Sequence, residues 1–377
     1  MNDGKRRYVG WVGLFCWVAC GGILYAQGDD PVIADRPLSQ WMQQLRGENR
    51  GLQVRAARVL AEAPTNARPT VIEQVIPVLK SARENDRFVA AQVLGEYGSA
   101  ARAAVSHLLP MLNGTQYERN RAAAAKALGE ILKDEPPSDE VAEVVAALIK
   151  KIDSAGEYDK YTDVRREAVR ALGMIGPTAK PCIPKLVRVI TEFLDGVGSS
   201  QDQEYRLVRR AAAWTCGRMG PLAAQHIDLL ISRMHTEGES CPEIVEAIGQ
   251  IGLVHANVIP NIMDRIESSG RPGDSPTFKV AAFAVLGRFG EKSAAAVPLI
   301  RRMLKNTVGN SPMPIKIAMV KALGAIGPAA KDAAPELLSH IRMGEERPDA
   351  EYKTLKEESQ KAYRAVTGQD APPAAGK

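Results

Sequence analysis

Apolar positions along the chain recur in one frame. Seven glycines, Gly95, Gly129, Gly173, Gly217, Gly249, Gly287 and Gly324, each follow an apolar residue directly, from Leu94 and Leu128 to Leu286 and Leu323. A second apolar residue stands two places after each glycine, as in Tyr97, Ile175 and Ile326. A third stands five places before it, as in Ala90, Ala168 and Met319. These offsets fall on one stripe of an α-helix. The glycines are 34, 44, 44, 32, 38 and 37 residues apart, the length of a helical pair with loops of variable size.

The ends of these helices are marked too. Three residues after the reference glycine stands another glycine in six of the seven units (Gly98, Gly176, Gly220, Gly252, Gly290, Gly327), with Leu132 as the exception. Pro177, Pro221 and Pro328 follow directly. Glycine past a helix end, then proline that cannot continue it, is a C-terminal stop signal. A second apolar helix follows, as at Pro184–Val187 and Pro298–Ile300. Each unit therefore reads as helix, tight turn, helix and variable loop.

These residues resemble the HEAT-repeat family, in its short form named after the phycobilisome lyases. The run Asp163-Val164-Arg165-Arg166-Glu167-Ala168-Val169-Arg170-Ala171-Leu172-Gly173-Met174-Ile175-Gly176-Pro177 carries the resemblance best, and Leu207–Pro221 and Ile317–Pro328 repeat it. It extends from about Leu38 to Gly368 and weakens near Val54-Arg55 and Cys241. The implied fold is all-α: an α-solenoid, a superhelical stack of about eight helix–turn–helix repeats. Leu38, Trp41, Met42 and Leu45 form an i, i+3, i+4, i+7 stripe that would close one end. A helix ending near Ala362–Val366 would close the other.

The resemblance also sorts the side chains. It places the glycine-bearing helix on the concave face, so offsets −7, −3 and +1 point away from the core. In the central units these are Arg166, Arg170 and Met174, then Arg210, Trp214 and Arg218, and further on Glu246, Gln250 and Arg288. Tryptophan flanked by arginine has the composition of a partner-binding hot spot, set against a merely solvated face. Six units carry a cation at offset −8: Arg87, Arg121, Arg165, Arg209, Lys279 and Lys316. An anion-binding ladder is one reading. In the repeat family an arginine here bonds the neighbouring unit, so the structural reading is preferred.

Composition narrows the picture. The 377 residues are 45% hydrophobic, 25% charged and only 5% aromatic, with a net charge of +5. That is globular, not disordered, collagen-like or polytopic membrane composition. So few aromatics suit helices packed closely on Ala, Leu, Val and Ile. The charge is too small for this length to require nucleic acid, and none is expected as a partner.

The first 26 residues stand apart. Lys5, Arg6 and Arg7 precede an apolar stretch from Val9 to Ala26, the pattern of a signal peptide. Val18-Ala19-Cys20 also resembles a bacterial lipoprotein box, with Trp17 where leucine usually stands, and the stretch is nearly long enough to stay as an anchor. Export to the periplasm, envelope or outside is the expectation, with membrane contact only through this segment. The chain then divides into a signal at 1–26, a linker at 27–36, the solenoid at 37–368 and a loose tail at 369–377.

Chemistry-bearing patterns are missing. The five histidines have no metal spacing between them, and no nucleophile elbow or phosphate-binding glycine loop occurs. Outside the leader lie Cys182, Cys216 and Cys241; Cys216 occupies a core slot, and a bridge from it to Cys182 is an alternative in an oxidising compartment. No cofactor is expected. The function expected is a non-catalytic protein-binding scaffold, using the concave face and the loops at 154–162, 195–205 and 268–276. The alternative is a lyase-like or chaperone-like protein that handles a chromophore or prosthetic group.

Overall fold

The computed structural model describes residues 30–114, 117–153, 162–192, 201–236, 241–252, 255–269, 277–306, 312–347 and 349–372. The leader and most of the three long loops lie outside the described residues, as does the Cys241 side chain. The first half contains α1 (Leu38–Leu45), α2 (Arg50–Ala61), α3 (Arg68–Val75), α4 (Glu84–Glu96), α5 (Val105–Asn113), α6 (Glu118–Ile131), α7 (Asp139–Asp153), α8 (Thr162–Ile175) and α9 (Ile183–Glu192). The second half contains α10 (Gln201–Met219), α11 (Ile227–Thr236), α12 (Cys241–Ile251), α13 (Val258–Ser268), α14 (Thr277–Arg288), α15 (Val297–Asn306), α16 (Met313–Ile326), α17 (Ala334–Glu346) and α18 (Ala350–Thr367). Even-numbered helices touch one another in series from α2 to α18, and odd-numbered helices form a second, more sparsely touching row. The result is an α-solenoid of eight pairs, α2–α3 to α16–α17, with α1 and α18 at the ends.

The reference glycines explain the tight row. A Cβ added at Gly129 would stand 2.6 Å from Ala171 Cα, and one at Gly173 would stand 2.7 Å from Thr215 Oγ1. The same relation links Gly95 to Ala127, Gly217 to Ala247, Gly249 to Val285, Gly287 to Ala322 and Gly324 to Ala362. Each of the first six glycines thus faces the residue at offset −2 of the next unit, and Gly324 faces Ala362 of the closing helix α18, with little room for a side chain at Gly129 and Gly173. A stack whose one row approaches this closely curves toward that row, which makes the even-numbered helices the concave side.

The stop glycines take positive φ, from +54° at Gly98 to +103° at Gly252. In five units a seven-residue 3-10 turn follows, such as Gly176–Cys182 or Gly327–Ala333, before the outer helix begins. The unit with Leu132 turns differently: Asp134 takes φ +54° and its N–H donates to Met174 O at 3.0 Å. One described run, Met313–Glu346, is apolar and long enough to cross a bilayer; it is α16 and α17 folded back at Gly327, half buried in the stack.

The N-terminal end differs from the expected linker. Val32–Ile33 (β1) and Arg36–Pro37 (β2) pair antiparallel through Ala34 and Asp35, at φ +47° and +69°. Positive φ at both central residues is the tight hairpin turn. Trp41 Nε1 donates to Ile33 O at 2.7 Å, and Ser39 donates to both carboxylate oxygens of Asp30. From Asp30 on, the segment assigned to a linker is therefore part of the closed end. Leu38, Trp41, Met42 and Leu45 are all buried beneath it.

Charge ties the outer helices α15 and α17. Glu336 is 5% exposed at its side chain and takes Arg301 and Lys305, each at 3.2 Å. Burial raises its carboxyl, but the hydrogen bonds around it, from Arg301 and Lys305 among others, outweigh burial and hold it below the ordinary range. One turn on, His340 Nδ1 bonds Glu336 O at 2.8 Å. Burial holds this imidazole below its ordinary 6.5 despite that bond, with Lys316 adding to the effect.

Two outcomes follow from this packing. Gly129→Ala and Gly173→Ala each lower stability by about 1–3 kcal/mol in denaturant titration. Gly114→Ala, whose added Cβ meets nothing closer than 3.5 Å, stays within about 0.5 kcal/mol. The unfolded chain protonates His340 first, so stability falls as pH drops below 6.5. His340→Gln flattens that slope, read from melting temperature against pH.

Candidate partner-binding face

The cations at offset −8 lie inside the stack, not along an open strip. Arg121 is 5% exposed, Arg165 8%, Arg209 5% and Lys316 3%, while Arg87 and Lys279 are half-buried. Arg87 donates to Ser81 O at 2.5 Å and stands 5.1 Å from the Tyr117 ring. Arg121 donates to Gly114 O at 3.4 Å. Both reach carbonyls at the ends of outer-row segments, which a guanidinium can satisfy while staying charged. Arg265 on α13 does similar work from the outer row, bonding Met234 O at 3.0 Å beside the Phe278 ring. Nothing in the glycine frame marked it, because it sits in the partner helix.

The six residues assigned to partner binding divide. Arg166 is held by Asp163 at 2.7 Å and Glu167 at 3.0 Å. Arg210 pairs with Glu243 at 2.5 Å. Trp214 is half-buried, with its ring laid across Gly173 of the preceding helix. Arg218 bonds Gly173 O at 3.3 Å and reaches Asp134 at 2.5 Å, so it ties α10 to the end of α8 and to the turn after α6. Arg170 and Arg288 are exposed, and neither has an ion pair among the described residues.

Residues at offset +1 share a task in this packing. Met174 Sδ covers Gly129, Gln250 Oε1 covers Gly217 and Arg288 Nη1 covers Gly249, each within 3.3 Å of where a Cβ would stand. A long side chain here leans back over the previous unit's bare backbone. Glu246 stands among them; burial first, then the charge of Glu243, raises its carboxyl, with Arg288 opposing.

A trough of about 350 Å³ opens on the same face farther toward the N-terminus, across α4, α6 and α8. Ala91, Gly95, Ala122 and Ala123 line it together with Phe88. The Arg119 guanidinium stacks 3.5 Å from the Phe88 ring centroid. Lys126 and Glu96 stand 3.9 Å apart on the rim, and Arg166 with its two acids closes the α8 end. Phe88 and Ala122 are the offset −7 residues of their units, and Gln92 and Lys126 the offset −3 residues. The same frame that selected the central arginines finds them when it is run through the first units.

The comparisons with known proteins agree with this architecture. Residues 38–129 match the family description "HEAT repeats", and residues 164–192 match "PBS lyase HEAT-like repeat". No curated protein matches the chain. Among solved structures, yeast importin-beta (Kap95p) superposes with TM-score 0.65 at 10% identity, over 87% of this chain and 46% of that one. Another importin beta structure gives 0.64 at 16% identity, over 88% and 46%. Kap121p bound to Nup53p gives 0.59 at 12%, over 87% and 38%. The chain thus spans less than half the length of these three chains, and the likeness is one of fold.

Trp214 and Arg218 hold the stack, so replacing them has a measurable cost. Trp214→Ala and Arg218→Ala each lower the unfolding free energy by about 1–3 kcal/mol, whereas Arg170→Ala stays within about 0.5 kcal/mol. Denaturant titration of the three variants checks this, and equal midpoints for all three would contradict the assignment.

Proposed function

We propose that this chain, a HEAT-repeat protein, is a non-catalytic scaffold that holds a protein partner against its concave face. The observation that carries the reading is the division of labour on that face. Most large side chains lean onto the neighbouring unit, and what remains free is a small-residue trough with exposed cations beside it. Such a surface suits a partner's chain laid across several repeats. The fold supports it: Kap121p, of the same architecture, is described bound to Nup53p.

The nucleophilic groups also fit a binding role. Cys182 and Cys216 are buried free thiols, and burial pushes Cys216 up to about 12. Burial raises Cys182 as well, with Cys216 beside it adding to the shift. A thiol held protonated is a poor nucleophile. Among the described residues no three His, Cys, Asp or Glu side chains gather closely enough to hold a metal ion. A lyase-like role would instead be signalled by a coloured purified protein.

We place this activity outside the cytoplasm, on the strength of Lys5–Arg7 and the apolar run to Ala26. Scaffold and export are tested separately. A photo-crosslinking phenylalanine analogue at Arg170 or Arg288 yields partner adducts in the native envelope fraction. The same analogue at Ser232 or Lys292, exposed on the outer row and on a turn, yields few. Equal yields at all four positions would sink the concave-face reading. N-terminal sequencing of the isolated protein finds a start after Ala26, or a lipidated Cys20; an intact N-terminus in the cytoplasm rejects export.

A further inference from the structure

We infer that the trough across α4 and α6 takes an acidic, amphipathic peptide segment, seating an apolar side chain against Phe88 and a carboxylate against Arg119. This rests on the concave-face reading above and names the chemistry of the partner there. Three observations lead to it.

The floor is made of Ala91, Ala122 and Ala123, so a guest backbone can come close and an aliphatic side chain has a flat apolar bed. Val54 on the neighbouring inner helix α2 is a further exposed apolar side chain, at 50%.

Arg119 is the lining cation with no ion pair among the described residues. Arg166 already has Asp163 and Glu167, and Lys126 has Glu96 at a loose 3.9 Å. Among the described residues Arg119 meets the face of Phe88, makes a long hydrogen bond to Asn85 Oδ1 at 3.4 Å and feels the more distant charge of Glu84. Stacking on the ring fixes the plane of the guanidinium and leaves its N–H edge free, the arrangement that receives a carboxylate with two parallel bonds. Desolvation, then the nearby Arg50 charge, makes its protonated form harder to hold, with Glu84 opposing them, and an incoming carboxylate would add to that opposing charge.

The charges also set a direction. Asp163 and Glu167 crowd the α8 end and repel carboxylates. Arg119 and Lys126 lie seven residues apart on α6, about 10 Å along the axis. Three extended residues cover about that span. Two acids with two residues between them, one of them apolar, match it.

The probe is a fluorescein-labelled peptide built on Glu-Leu-Ala-Glu, compared with Lys-Leu-Ala-Lys and Glu-Ser-Ala-Glu versions by anisotropy with the full-length protein. The acidic apolar peptide binds at least about tenfold more tightly than either control, and its affinity falls with added salt. Arg119→Glu and Ala122→Gln, each checked for an unchanged melting temperature, weaken it by a similar factor. If Arg119→Glu fails to fold, Arg119→Gln together with the salt series carries the test. Equal binding of the lysine peptide, no binding of the acidic one, or indifference to both Arg119 variants would overturn the assignment. Cross-links from Arg170 that persist alongside such a failure leave the scaffold standing with a different partner chemistry. Their loss removes the scaffold itself.

Discussion

The structure depends on one contact repeated along the stack: a glycine of one inner helix against a residue of the next inner helix. At Gly129 the opposing atom is Ala171 Cα itself, and at Gly324 it is Ala362 Cα. Backbone meets backbone there, so neither helix can be displaced without opening a void that nothing fills. The outer helices meet no such limit and are tied instead by longer side chains, as Arg301 and Lys305 are to Glu336. Close approach in one row and looser approach in the other is what bends the stack.

That constraint also decides what the concave face can present. Where glycine leaves backbone bare, the next unit's +1 or −3 side chain lies over it, as Met174, Trp214 and Arg288 do. Offsets that point away from the core in a single helix therefore point back into the stack once the next helix is in place. The face stays open across α4 and α6, where Ala91, Ala122 and Ala123 form the floor. A tight stack of this kind makes its own troughs, and their position follows from where alanine replaces a long side chain.

Much of the fold was legible because its signals are local. The stripe at −5, −1 and +2 is one helix face, and the stop glycines all take the positive φ that favours glycine there. The end cap at Leu38–Leu45 was readable from four spaced residues. The hairpin before it was not, since Ala34 and Asp35 carry none of the glycine or asparagine preference of such turns. Arg218 was equally opaque. Its offset gave a direction, but its partner Asp134 lies 84 residues away, in the one turn that lacks the usual glycine.

Those two facts about Arg218 belong together. The Leu132 unit has no stop glycine, so its turn is made by Asp134, which enters the left-handed region and gives its N–H to Met174 O. That places the Asp134 carboxylate, 55% exposed, where Arg218 can reach it while also bonding Gly173 O. A missing glycine in one repeat is thus offset by an arginine two repeats on, which spans three units in a stack where most contacts join only neighbours. A clasp across three units resists changes of curvature that pairwise contacts permit.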